Sequence, residues 1–243
     1  MEGISYHPTA WDCLRLDFAS TPEGLESVFA ESAKASYSRL FNLLLTVRRT
    51  EHALNTAWNG AKRTALLDPR SIVLHHQMAF IVSHLNSYLQ VCSTFTRWKN
   101  TGLSQANHSS TVFFSFQTDV IASAFERLLK AFNDHQSSRD LGCVEALHEA
   151  FLLNMESQAL LHHHRLRSIL LRLLNVCRRY QSMDLSTAIA AFEHLAGTLF
   201  SALTAAAAAT STSRLGGGGG ANLSQLLLRL DYNYFFSKSL PLS

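Results

Sequence analysis

Twelve histidines stand in the 243 residues. Imidazole is the side chain best suited to bind a transition metal or to move a proton near neutral pH. The densest group is His162-His163-His164, and His75-His76 is a second adjacent pair. On a helix, successive residues point about 100° apart, so three in a row cannot converge on one ion. Helix-borne metal sites use i, i+4 pairs, as in HExxH, and that motif is absent. His148 and His162 share one helical stripe but lie about four turns apart, roughly 21 Å. These histidines therefore read as solvated or partly buried members of a helical scaffold, and no metal site is expected.

Other catalytic patterns are also missing. There is no GxSxG, no P-loop and no GxGxxG. Gly216–Gly220 is a low-complexity run without the strand–turn–helix context of a phosphate loop. The carboxylates Glu31, Glu51, Glu126, Glu145, Glu156 and Glu193 fall singly within helical patterns. Cys13, Cys92, Cys143 and Cys177 are far apart and form no CxxC pair, as expected of buried thiols in a reducing cytosol. No catalytic residue and no cofactor is expected, and the chain reads as non-enzymatic.

A second kind of chemistry is recognition. In NLSQLLLRLDYNYFFSK, residues 222–238, Leu223, Leu226, Leu227, Leu230 and Tyr234 make one helical stripe. Gln225, Arg229, Tyr232 and Phe236 step by four, three and four along another. Arginine and aromatic side chains anchor protein interfaces. The alternative is that both stripes are buried between helices of one bundle.

The elements that must position these residues are helical. Tyr37, Leu40, Phe41, Leu44, Val47, Leu54 and Trp58 recur at steps of three, four or seven, with Gly60 and Pro69 bracketing the helix end. Leu74, Met78, Ile81, Leu85, Tyr88 and Cys92 repeat the pattern from about Ser71. Residues 93–118 break it with a Ser/Thr/Asn-rich insertion. Ile121, Phe125, Leu128 and Phe132 resume it. From Val144 to Val176 a three-four rhythm runs for more than thirty residues, as in a tall bundle or two helices in line. A further helix from about Asp184 runs into Ala205–Ala209, which can extend it, and then into the glycines, which read as a flexible linker. Asn222 would cap the closing helix. The expectation is an all-α, elongated bundle of about six helices over 33–237. An irregular segment (1–32) precedes it and a tail (238–243) follows. The bundle contains the insertion and an Ala/Gly linker (205–220).

Bulk properties narrow the partners. Apolar residues are 47% and mean hydropathy is near zero, which excludes a multi-spanning membrane protein and a disordered chain. Leu195–Ala209 is too short and too Ala-rich to span a bilayer, and no signal peptide is visible at the N-terminus. Net charge is only +3, and Arg48-Arg49 and Arg178-Arg179 are dipeptides. Neither nucleic acid nor membrane is expected as a partner.

Four stretches resemble the C-terminal domain of the gamma-tubulin complex components, the grip-motif or spindle-pole-body component family. They are YSRLFNLLLTVRRTEHALNTAW (37–58) and LHHQMAFIVSHLNSYLQ (74–90); Asp119-Val120-Ile121 with Phe125, followed by RDLGCVEALHEAFL (139–152); and LSQLLLRLDYNYFF near the end. The likeness runs in order over roughly residues 14–237. It implies a non-enzymatic helical scaffold that binds gamma-tubulin, works beside other gamma-tubulin complex components and supports microtubule nucleation. The expected location is a cytoplasmic microtubule-organising centre or spindle pole.

The resemblance implies Arg229, Tyr232 and Phe236 as partner-binding residues, with Arg48 and Arg49 as charge partners of an acidic tubulin face. Arg48 also flanks an apolar stripe, where a structural ion pair is an equal expectation. Asn86, Tyr88 and Asn233 match family positions and read as structural. The family's Trp-Pro-Leu element is missing; Thr21-Pro22-Glu23 stands nearby. Family members also carry an N-terminal domain that makes lateral contacts, and this length leaves no room for it. A fragment or short form that binds gamma-tubulin without lateral assembly is the corresponding expectation. The alternative is a helical adaptor unrelated to tubulin.

Overall fold

The computed structural model describes residues 11, 14–17, 26–63, 68–89, 125, 128–130, 140–212 and 219–231. The expected all-α class is what it shows: among the described residues there is no strand. The α-helices are α1 (Glu31–Arg63), α2 (Pro69–Leu89), α3 (Leu141–Gln158), α4 (His164–Arg179), α5 (Leu185–Thr212) and α6 (Gly219–Leu230). A 3-10 turn, Tyr180–Ser182, joins α4 to α5. Phe125 and Leu128–Lys130 are helical too. The predicted insertion at 93–118 and the tail at 238–243 lie outside the described residues.

In α1, Leu40, Leu43, Val47, Leu54 and Ala57 are buried, as their spacing dictates. Thr46 and Thr50 return their hydroxyl protons to the Asn42 and Thr46 carbonyls at 2.7 and 2.8 Å, so a β-branched polar residue is accommodated inside the helix. Gly60 does not end this helix, which runs on to Arg63. Pro69 likewise opens α2 rather than marking a turn beyond α1. Its missing N–H costs nothing at the first helical position. Asp68 before it caps the helix, its Oδ1 accepting from the Arg70 N–H at 2.9 Å.

The long rhythm from Val144 to Val176 is two helices. Beyond Gln158 the Leu160 N–H donates to the Ser157 carbonyl and the Leu161 N–H to the Glu156 carbonyl, the paired bonds of a Schellman turn. Leu160 takes the left-handed position with φ 63°, where glycine is usual. Ala159 and Leu160 are both buried, so apolar spacing continues through the break and conceals it. His162 and His163 therefore sit in the turn, and only His164 is helical. The geometric objection based on three helical neighbours does not apply to them.

Helix α5 starts at the Asp184 cap, whose Oδ2 accepts from the Thr187 N–H at 3.3 Å and from the Ser186 hydroxyl. The Ser186 hydroxyl, and then the Thr187 N–H, hold the Asp184 carboxyl below its usual range. The alanine tract is helical as far as Thr212. By length and composition Leu185–Ala209 could cross a membrane, a longer stretch than the sequence reading marked. Here Ala188, Phe192, Leu195, Ala196, Leu199, Phe200 and Leu203 of α5 belong to the core, and the helix packs on α4 and α6. Helix α6 begins at Gly219, so Asn222 lies within its first turn rather than at the cap. The first N–H groups of a helix lack intrahelical partners, so glycine there gives up little.

Helix α1 packs against α2, α3 and α4, and α6 packs against α2, α3 and α5. Of the predicted closing stripe, Leu223, Leu226 and Leu230 are 2%, 1% and 2% exposed and Leu227 is half-buried, while Tyr234 lies outside the described residues.

Candidate partner-binding face

Among the described histidines, His75 and His148 are buried and tied into packing, while His52, His76, His162, His164 and His194 are exposed. His75 stacks on Trp58 with ring centroids 4.8 Å apart, and its Nδ1 lies 3.0 Å from the Tyr180 hydroxyl. His148 lies 2.9 Å from the Tyr37 hydroxyl and meets Phe29 edge-on. Burial lowers the pKa of both. Among the described residues no three His, Cys, Asp or Glu side chains are grouped to hold a metal. Cys177 is fully interior, and burial raises its pKa, which disfavours the nucleophilic thiolate.

Glu156 is not the single carboxylate its sequence position suggested. Arg39 donates to its Oε1 from Nε at 2.9 Å and from Nη2 at 2.6 Å, and His162 Nε2 is 3.7 Å from Oε2. This pair borders a groove of about 420 Å³ between the start of α1 and α3, lined also by Ser36, His148, Glu149 and Leu152. Arginine and glutamate neutralise each other there, and the Ser36 hydroxyl accepts from Arg39 Nη2 at 2.9 Å.

Recognition groups gather instead around α2. Arg48 Nη1 donates to Glu51 Oε2 at 3.0 Å, one helical turn away. The same oxygen accepts from Asn86 Nδ2 of α2 at 3.1 Å. Arg48 is thus held at an exposed site by a clamp between two helices. Arg49 places its guanidinium 4.7 Å from the Trp11 ring centroid, a cation–π contact that holds residue 11 against α1. On the other side of α2, α6 brings Arg229. Burial, and then the Arg229 charge, lower the pKa of His84. Tyr88 is driven up by burial, with Arg229 opposing. The His84 ring meets Phe80 at 4.2 Å, and Phe80 is 40% exposed. His84 thus lies against the Phe80 ring and within electrostatic reach of the Arg229 guanidinium.

Of the predicted binding residues, Arg229 and Arg48 flank the same helix and Arg49 supports residue 11. Tyr232 and Phe236 lie outside the described residues, as does Asn233. Phe80 and His84 were not singled out by sequence, and Glu51 was named only as a single helical carboxylate. Phe80 breaks the pattern of its helix, an aromatic ring off the Leu74–Met78–Ile81–Leu85 stripe, and Glu51 stands at i+3 from Arg48. Asn86 and Tyr88 have structural partners, as expected.

The family description "Gamma tubulin complex component C-terminal" matches residues 1–236. The chain belongs to the gamma-tubulin complex component family. Gamma-tubulin complex component 4 of Homo sapiens and that of Mus musculus are each 25% identical to it over 250 residues, covering 95% of this chain and 32% of theirs. Gamma-tubulin complex component 3 of Arabidopsis thaliana is 27% identical over 176 residues, covering 71% of this chain and 19% of its own length. The chain thus spans about a third or less of the curated relatives it matches, in the C-terminal domain of the family. Gamma-tubulin complex components are structural and non-enzymatic.

Proposed function

We propose that this chain is a gamma-tubulin-binding scaffold unit that supports microtubule nucleation at a microtubule-organising centre such as a spindle pole. The match of the family's C-terminal domain to residues 1–236 carries the reading. The physical requirement is modest: stiff helices must hold anchor side chains in place while a large partner docks. Helices α2 and α6 supply that, with Phe80, His84 and Arg229 as the central anchors. Tyr232 and Phe236 follow α6 in the sequence and extend the set, and Arg48 adds a cation from α1. Arginine and aromatic groups in such a cluster carry most of an interface's energy. Other gamma-tubulin complex components are the further partners, and any nucleotide chemistry belongs to the tubulin.

The test is capture of gamma-tubulin by the purified chain and by an Arg229→Glu, Tyr232→Ala double variant with unchanged helicity. The parent captures gamma-tubulin and the variant loses most of it. Equal capture by both removes this face; no capture by either removes the function.

A further inference from the structure

Helix α4, HRLRSILLRLLNVCRR, contains five arginines and no acidic residue. The rest of the chain is net acidic, with sixteen Lys and Arg against eighteen Asp and Glu. The net positive charge of the protein is therefore contributed by this one helix.

Its placement is regular. Leu166, Ile169, Leu170, Leu173, Leu174, Val176 and Cys177 turn inward, and the helix packs on α1 and α5. Arg165, Arg172 and Arg179 are exposed and stand seven residues apart, with Ser168 and Asn175 between them. They form one straight stripe about 21 Å long, with a cation every 10 Å or so. Among the described residues none of the five α4 arginines takes part in an ion pair. Arg178 bonds only to Asn175 Oδ1, at 3.0 Å.

Fold stability accounts for Arg179, which with Arg178 stands in the last turn where the helix dipole favours a cation, but not for Arg165 and Arg172. Arg165 and Arg167 lie in the first turn, where the helix dipole already presents positive charge, and His163 provides no side-chain cap. Among the described residues no acidic side chain relieves the repulsion. A solvated helix face normally mixes the two signs, and this one does not.

We propose that the α4 stripe binds an acidic, carboxylate-rich peptide segment of a partner protein. The exposed positions of α4 are His164, Arg165, Ser168, Arg172 and Arg179. None is apolar, so a partner helix would find nothing to cover its own apolar face, and a bilayer would find nothing to insert. The helix holds no Phe, Tyr or Trp on which a nucleic-acid base could stack, and His164 at its start is its one imidazole. An extended acidic segment needs neither. In the polyproline II form its residues advance about 3.1 Å each with three to the turn, so every third carboxylate falls on the same side and meets the next guanidinium fork. The stripe lies on a helix packed on α1 and α5, apart from the α2–α6 face, and does not depend on the gamma-tubulin reading.

The probe is a fluorescent oligo-glutamate peptide titrated with the full chain, beside a matched oligo-glutamine peptide, a single-stranded oligonucleotide and phosphatidylserine vesicles. The oligo-glutamate peptide binds, the glutamine peptide does not, and added salt weakens the complex. Reversing Arg165, Arg172 and Arg179 together to Glu weakens it about tenfold or more. The milder Arg→Gln triple gives the same direction should the reversal disturb folding. Arg165→Glu alone raises the thermal midpoint while weakening binding, which a residue retained for stability would not do. Unchanged peptide affinity in both triple variants overturns the proposal, as does tighter binding of the oligonucleotide or the vesicles. Loss of gamma-tubulin capture by the Arg→Gln triple would merge this stripe with the gamma-tubulin face and remove the separate partner.

Discussion

The Tyr88 hydroxyl donates to the Gln158 carbonyl at 2.9 Å, tying the end of α2 to the end of α3 across seventy residues of chain. Gln158 is the last residue of its helix, so its carbonyl has no intrahelical donor. Tyr88 is 1% exposed and Gln158 likewise. Water therefore cannot replace the bond. Tyr88→Phe keeps the ring and orphans the carbonyl, and should cost about 1–3 kcal/mol in urea denaturation. A loss near zero would mean that the turn relaxes to find another donor.

Leu160 reverses a general ranking. Elsewhere in a helical protein, Ala is more stable than Gly. At φ 63° the left-handed backbone penalises any Cβ by about 1–2 kcal/mol. Both substitutions lose the buried leucine side chain. Leu160→Gly should nevertheless be the more stable of the two, by about 1 kcal/mol, in paired denaturation curves.

The Arg39–Glu156 pair joins α1 to α3, with the glutamate side chain 6% exposed and the arginine 43%. Arg39→Ala leaves a buried carboxylate without its cation and should destabilise by about 2–3 kcal/mol, discounted for the exposed partner. Arg39→Met with Glu156→Leu removes both charges and should recover most of the loss. A double variant no better than the single one would show that the pair contributes more than mutual neutralisation.

His75, His84 and His148 give a pH dependence of defined sign. Burial is the first cause of a lowered pKa in each, with the His76 charge adding at His75 and the Arg229 charge at His84. The folded state prefers the neutral ring. The stabilisation is complete above the ordinary value of 6.5 and falls as pH drops below it through the lowered folded values. Denaturation midpoints should decline between about pH 7.5 and about pH 5.5. His75→Phe should flatten part of that slope.

Phe80 separates binding from stability. Its ring is 40% exposed, so Phe80→Ala should change stability by less than about 1 kcal/mol. Capture of gamma-tubulin should fall about tenfold, as for an aromatic anchor at an interface centre. Intact capture would move the binding face away from α2.

The helical class and the inward stripes of α1, α2 and α6 were legible, because each apolar set recurs at helical spacing within one element. The break between α3 and α4 was not, because an apolar Leu160 occupies a position that glycine would have announced. Asp68-Pro69 carries its own signal, a cap followed by the first helical residue, but the same dipeptide also suits a turn. Arg48 and Glu51 are neighbours in sequence, so their clamp was readable, whereas its third member, Asn86, comes from another helix. The cluster of Phe80, His84 and Arg229 requires α6 to lie on α2, and no local pattern reports that contact. Arg165, Arg172 and Arg179 repeat at seven, but a search for runs of charge sees only Arg178-Arg179.

The position of α6 has a consequence for synthesis. Helices α2, α3 and α5 each give it part of their apolar surface, yet it is the last of the six to leave the ribosome. Until α6 emerges those surfaces lack its cover, and exposed apolar surface of that kind is prone to aggregate. Completion of the described bundle therefore turns on α6. A message cut short before Gly219 yields a product for degradation rather than a smaller working scaffold.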